Sequence, residues 1–73
     1  MSIYSVQTDG FFCDEIQAEN INEAIEYAFD GEGLGKITDI DSLERKFAKY
    51  VDDGGYCKIE CDGEEVLVIG TPF

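Results

Sequence analysis

Two Asp-Gly dipeptides, Asp9-Gly10 and Asp62-Gly63, each stand between segments that alternate apolar and polar residues. Two-residue hairpins favour Asp-Gly because both central positions need a positive φ. Residues 3–8 set Tyr4, Val6 and Thr8 against Ile3, Ser5 and Gln7, a period of two that reads as a strand. Residues 11–18 read as its partner, with Phe12, Ile16 and Ala18 on one face. Near the other end, residues 56–61 set Cys57, Ile59 and Cys61 against Tyr56, Lys58 and Glu60, and Glu65–Ile69 follows as the last strand. That last strand is apolar on both faces, which predicts a central place or one beneath helices. Pro72 bars the ladder from continuing.

The middle of the chain reads as two helices. Asn20 suits an N-cap, and Glu23 three residues on completes a capping-box pattern. Ile21, Ala24, Ile25, Ala28 and Phe29 form one apolar stripe at helical period, and Gly31 supplies a stop. After Gly31–Gly35, a second helix is expected to start near Asp39 or Asp41, the latter paired with Glu44 as a cap. It carries Ile40, Leu43, Phe47, Tyr50 and Val51 and ends at Gly54-Gly55. The order is ββααββ, an α+β class: a small antiparallel sheet with two helices packed on one face. A chain of 73 residues supports one such acidic domain, spanning 1–73. A domain this small buries only about 60% of its unfolded surface.

Charge narrows the function. Seventeen acidic and five basic side chains, with no histidine, give a net charge of -12. This repels nucleic acid and anionic membrane and favours cationic partners. Five Phe, four Tyr and 44% hydrophobic residues argue for folding despite the charge. All five basic residues lie between Lys36 and Lys58, so the first 35 residues carry carboxylates alone. Along the first helix Glu19, Glu23, Glu26 and Asp30 fall at i, i+4, i+7 and i+11, within about 60° of one another on an ideal helix. Neighbours on that ridge rise by ~4.5–6 Å, a coarser version of the ~3.4 Å phosphate spacing of one DNA strand. Asp14, Glu15 and Glu32 extend the ridge. On the second helix Arg45, Lys46 and Lys49 form a small basic face, read as pairing with nearby carboxylates and as cations at a helix C-terminus.

Other chemistries fit poorly. With no histidine, neither a near-neutral base nor a Ser or Cys partner exists, so no enzyme is expected. Glu64-Glu65 and Asp52-Asp53 read as turn and rim residues. Residues 30–41 approach an EF-hand loop, with Asp30, Glu32, Gly35, Ile37, Thr38 and Asp41 at positions 1, 3, 6, 8, 9 and 12. Leu34 breaks position 5, and Asp41 is shorter than the bidentate Glu of position 12. No cofactor or metal is expected; a degenerate calcium-binding helix pair is the alternative. Three cysteines, Cys13, Cys57 and Cys61, suit a reducing compartment, with Cys13 able to pair only if its strand lies adjacent. Zinc wants four ligands, more than three Cys and no His supply. The first residues lack the basic-then-apolar order of a signal peptide, and Val66-Leu67-Val68-Ile69 is far short of the roughly 20 residues of a span. Cytoplasmic residence follows as the expectation. A third option is an accessory subunit of a larger assembly, using Phe11, Tyr27 and Phe73 as exposed aromatics.

The stretch from Tyr4 to Phe29 resembles the ββα openings of many small phage and mobile-element proteins. With its size and acidity, the chain is similar in character to small anti-CRISPR proteins, several of which mimic nucleic acid. That resemblance implies an inhibitor acting in the host cytoplasm, which occupies the basic DNA-binding groove of a host nuclease complex without touching nucleic acid itself. The candidate contact residues are Asp14, Glu15, Glu19, Glu23, Glu26, Asp30 and Glu32.

Overall fold

The computed structural model describes residues 2–30 and 37–70. In chain order these form β1 (Ser2–Thr8), β2 (Phe12–Ala18), α1 (Ile21–Ala28), α2 (Ile40–Phe47), a short 3-10 turn (Val51–Asp53), β3 (Cys57–Cys61) and β4 (Glu64–Ile69). The class is α+β, a four-stranded antiparallel sheet with both helices against it. The strand order is β2-β1-β3-β4, so the leading strands of the two hairpins pair in the centre and their return strands form the edges.

One face of the sheet builds the core. Tyr4, Val6, Thr8, Ile16, Ala18, Cys57 and Ile59 are buried beneath Ala24, Ile25, Ala28 and Phe29 of the first helical segment and Leu43 and Phe47 of the second. The expected stripe of α1 is the buried one, with Ile21 half-covered at its rim. Phe29 is the hub. Its ring meets Phe11 edge-on at 5.2 Å and Phe47 at 5.9 Å. Phe11 is therefore half-buried against the core and not the exposed aromatic expected of it. Burial pushes the Cys57 thiol up to about 12. Burial also raises Tyr4, helped by the Cys61 thiol and the nearby Asp62 carboxylate.

The two Asp-Gly turns differ. Asp62 and Gly63 both take positive φ, 52° and 88°, as a two-residue hairpin requires. Asp62 also ties this turn to β1: its N–H donates to the Ile3 carbonyl at 2.7 Å, and its Oδ1 accepts from the Ile3 N–H at 3.0 Å. At Asp9-Gly10 neither residue has a positive φ. There the Thr8 hydroxyl sets the turn, its Oγ1 accepting from the N–H groups of Gly10 and Phe11, both at 3.0 Å.

Four further expectations need correction. Phe12 does not share a face with Ile16 and Ala18. A one-residue bulge in β2 changes the register between Tyr4↔Ile16 and Val6↔Cys13, which turns Phe12 to the other side, where it is 62% exposed. Glu15, within the bulge, takes φ 57°, and its N–H donates to Asp14 Oδ1 at 2.8 Å. The last strand does not take the central place: β4 is an edge, with Leu67 and Ile69 packed against the core beneath the helices and Val66 and Val68 exposed. The cap of α2 is Asp39, whose side chain accepts from the Ser42 N–H at 2.8 Å while the Ser42 hydroxyl accepts from the Asp39 N–H at 3.1 Å. Those bonds to Ser42 hold the Asp39 carboxyl below the usual carboxylate range. The second helix also stops before Gly54-Gly55: α2 ends at Phe47, and Tyr50 and Val51, expected on its apolar face, are exposed at the 3-10 turn that follows. Cys13, whose pairing required an adjacent strand, is separated from β3 by β1, and all three cysteines are free thiols. Gly31 and most of the EF-hand-like loop, together with Pro72 and Phe73, lie outside the described residues.

Candidate acidic docking face

The carboxylates sit on two elements: Asp14 and Glu15 in the bulge of edge strand β2, opposite Ser5, and Glu19, Glu23, Glu26 and Asp30 on and beside α1, which packs on β2 and β1. Local chemistry makes α1 short. Asn20 has extended backbone, and its Oδ1 accepts the Glu23 N–H at 2.9 Å, which starts the helix at Ile21. The chain leaves helical geometry at Phe29 (φ −98°, ψ 5°), whose N–H still donates to the Ile25 carbonyl at 3.0 Å.

The four ridge residues are consequently not all helical. Glu23 and Glu26 lie within α1, Glu19 precedes its cap, and Asp30 follows its end. The ideal-helix alignment holds for the inner pair, which rises by ~4.5 Å. Glu23 folds back, its Oε1 accepting the Glu19 N–H at 3.4 Å, the reciprocal arm of a capping box. All four remain exposed, as do Asp9, Asp14 and Glu15. Glu32 lies outside the described residues.

No described cation neutralises this side. Among the described residues the single ion pair is Lys58–Glu60 at 3.8 Å, on a different face. Arg45, Lys46 and Lys49 on and after α2 make none of the expected ion pairs with neighbouring carboxylates; with Ser42 they line a shallow surface depression. Arg45 and Lys46 do occupy the last turn of α2, where the helix dipole favours positive charge. Asn22 joins the helices, its Oδ1 accepting the Ile40 N–H at 3.2 Å at the start of α2. This contact holds the acidic helix against its neighbour without using a charge.

Among the described residues no group of three His, Cys, Asp or Glu side chains is arranged to hold a metal ion. Tyr27 is 68% exposed beside the carboxylates, the one large aromatic on this helix that the core does not use. The face therefore offers several exposed carboxylates, one aromatic ring and a rigid capped helix. Sequence reasoning overlooked the opposite side of the sheet, where Phe12 and Val68 fall into one row. That row depends on strand order, which a single strand's pattern does not encode.

Comparison with protein-family models, curated proteins and solved structures finds no match to this chain.

Proposed function

We propose that this protein is a non-enzymatic acidic inhibitor of the phage or mobile-element kind, anti-CRISPR-like in action. In this account it mimics nucleic acid and occupies a basic DNA-binding groove of a host complex. The observation that carries the reading is the set of seven exposed carboxylates between Asp9 and Asp30 in a stretch with no Lys or Arg. A solvated helix normally offsets such charges with cations at i±3 or i±4. Around Glu23 and Glu26 those positions hold Glu19, Asn20, Asn22, Tyr27, Phe29, Asp30 and each other.

The mechanism is electrostatic substitution. Carboxylates on a preformed scaffold meet Lys and Arg side chains that ordinarily hold phosphates, and the rigid cap spares some of the ordering cost of binding. Association is steered by long-range attraction and weakens as salt shortens the Debye length, about 8 Å at physiological ionic strength. The three free thiols support residence in a reducing cytoplasm. Among the described residues no helix is long and apolar enough to cross a membrane.

The test is a gel-shift assay with purified RNA-guided effector complexes and a labelled target duplex. The protein is expected to displace the duplex. The variant Glu19→Lys/Glu23→Lys/Glu26→Lys/Asp30→Lys is expected to fail while keeping its circular dichroism spectrum. Equal displacement by both proteins would refute the assignment of these residues.

A further inference from the structure

Three exposed aromatic rings differ in what surrounds them. Phe12 stands on the open face of the sheet, directly opposite Gln7. Tyr50 is 44% exposed; its ring meets Phe47 edge-on at 6.1 Å, and Lys46 and Lys49 precede it by four positions and by one. Tyr27 is the most exposed large apolar side chain among the described residues and stands outside the edge-on series Phe11, Phe29, Phe47, Tyr50. Its own helix offers it no cation: the residues at i−4, i−3 and i+3 are Glu23, Ala24 and Asp30.

Helix geometry sets this ring among the carboxylates. At ~100° per residue Tyr27 projects about 40° from Glu23 and about 100° from Glu26. A helical side chain leans toward the N-terminus, over the preceding turn. The Tyr27 ring therefore leans over the turn that carries Glu23. Glu23 spends Oε1 on the Glu19 N–H, which leaves Oε2 for a donor from outside. On the other side, the Asp30 N–H donates to the Tyr27 carbonyl at 3.4 Å, which keeps the exposed Asp30 carboxylate in the adjoining turn.

Carboxylates alone attract lysine and arginine through the same charge; an aromatic face between them does not treat the two alike. Arginine's guanidinium is flat and weakly hydrated, and it stacks on a ring while its N–H edge stays free for carboxylates. Lysine's ammonium is a compact, strongly hydrated point charge. We infer that Tyr27 is the specificity-determining residue of the acidic face and that it selects arginine: the guanidinium stacks on the ring while its edge donates to Glu23 Oε2 or to the Asp30 carboxylate. This inference rests on the reading of α1 as the docking side, and it names the cation that the partner's groove must place at its centre. Tyrosine and arginine are also residue types in which binding energy concentrates at interfaces.

The test is fluorescence anisotropy with labelled deca-arginine and deca-lysine peptides, equal in charge, at about 50 mM salt. The parent chain is expected to bind the arginine peptide at least about fivefold more tightly. Tyr27→Leu removes the ring and is expected to cut that ratio at least about threefold, with lysine-peptide affinity within about twofold of the parent. Tyr27→Phe is expected to keep most of the ratio and Tyr27→Trp to raise it, following the order of rings as cation acceptors. Tyr27 lies outside the core, so all three variants are expected to keep the parent's circular dichroism spectrum. A parent with no preference, or a ratio unchanged in Tyr27→Leu, overturns the inference. Peptides bound as tightly by the four-site α1 reversal would place binding elsewhere and overturn it too. Duplex displacement judges the inhibitor reading separately: a chain that prefers arginine through Tyr27 yet leaves the duplex in place keeps this inference and removes that reading.

Discussion

The α1 side and the open face of the sheet carry similar polar side chains and manage them in opposite ways. On α1, the neighbours of Glu23 and Glu26 at i±3 and i±4 supply no cation, and the carboxylates stay exposed and unpaired among the described residues. On the sheet, Glu60 is met by Ser5 from a strand 55 positions away and by Lys58 two residues along its own strand. A helix face draws its partners from four residues on either side, while a sheet face draws them from wherever topology brings a strand. The difference teaches where charge is left over for a partner: the α1 side requires cations from outside, whereas at the centre of the sheet Ser5, Lys58 and Glu60 already answer one another.

The most severe way to break the comparison is to remove the support common to both regions. Phe29→Ala deletes the ring that links Phe11 to Phe47. It is expected to cost about 3–5 kcal/mol, a large share of the ~5–15 kcal/mol available to a domain. Urea titration followed by circular dichroism measures it, and loss of less than about 1 kcal/mol would mean that Phe29 is not the hub. Next in size, the four-site α1 reversal is expected to weaken partner binding at least about 100-fold, or ~2.7 kcal/mol, with stability to urea changed by less than about 1 kcal/mol, the loss of the Glu23 capping bond being offset by a smaller net charge.

Smaller effects sharpen the contrast. Lys58→Met removes the one described ion pair, yet both groups are partly exposed, so unfolding is expected to shift by less than about 1 kcal/mol. Thiol labelling of the folded chain at neutral pH is expected to reach Cys13 and Cys61 well before Cys57, which is buried and pushed up to about 12. Rapid labelling of Cys57 without unfolding would contradict the packing of β3. The same elevation makes stability fully present below the ordinary thiol value of about 8.5 and lost progressively as pH rises toward about 12. Asp39 works in the other direction. Its carboxyl is lowered, so its contribution is present above the ordinary value of about 3.9 and lost as pH falls through the lower folded value. Asp39→Asn, titrated by urea from neutral to acid pH, is expected to flatten that acid limb, and an unaltered limb would argue against the cap.

Much of the fold was legible because its signals are local. The α1 stripe from Ile21 to Phe29 and the Asp62-Gly63 turn each depend on residues a few places apart. What was not legible depends on competition between neighbours or on topology. Asp9-Gly10 carries the same dipeptide as Asp62-Gly63, but the adjacent Thr8 hydroxyl captures two N–H groups and sets a different turn. The β2 bulge inserts one residue, which reverses Phe12 while leaving Ile16 and Ala18 in place. The apolar run of β4 suggested a buried strand, yet its valines lie at the sheet edge and on the open face. The exposure of the acidic residues followed from their opposition to the stripe; the ends of α1 did not, because Asn20 and Phe29 cut the helix shorter than its charge pattern.

The central claim is that the α1 side binds where phosphates otherwise bind. The most direct measurement is the affinity of the protein for a target complex, read by fluorescence anisotropy at about 50 and about 200 mM salt with and without unlabelled duplex. The account predicts that affinity falls at least about tenfold over that range and that the duplex competes for the same site. An affinity indifferent to salt, or simultaneous binding of protein and duplex, would contradict it.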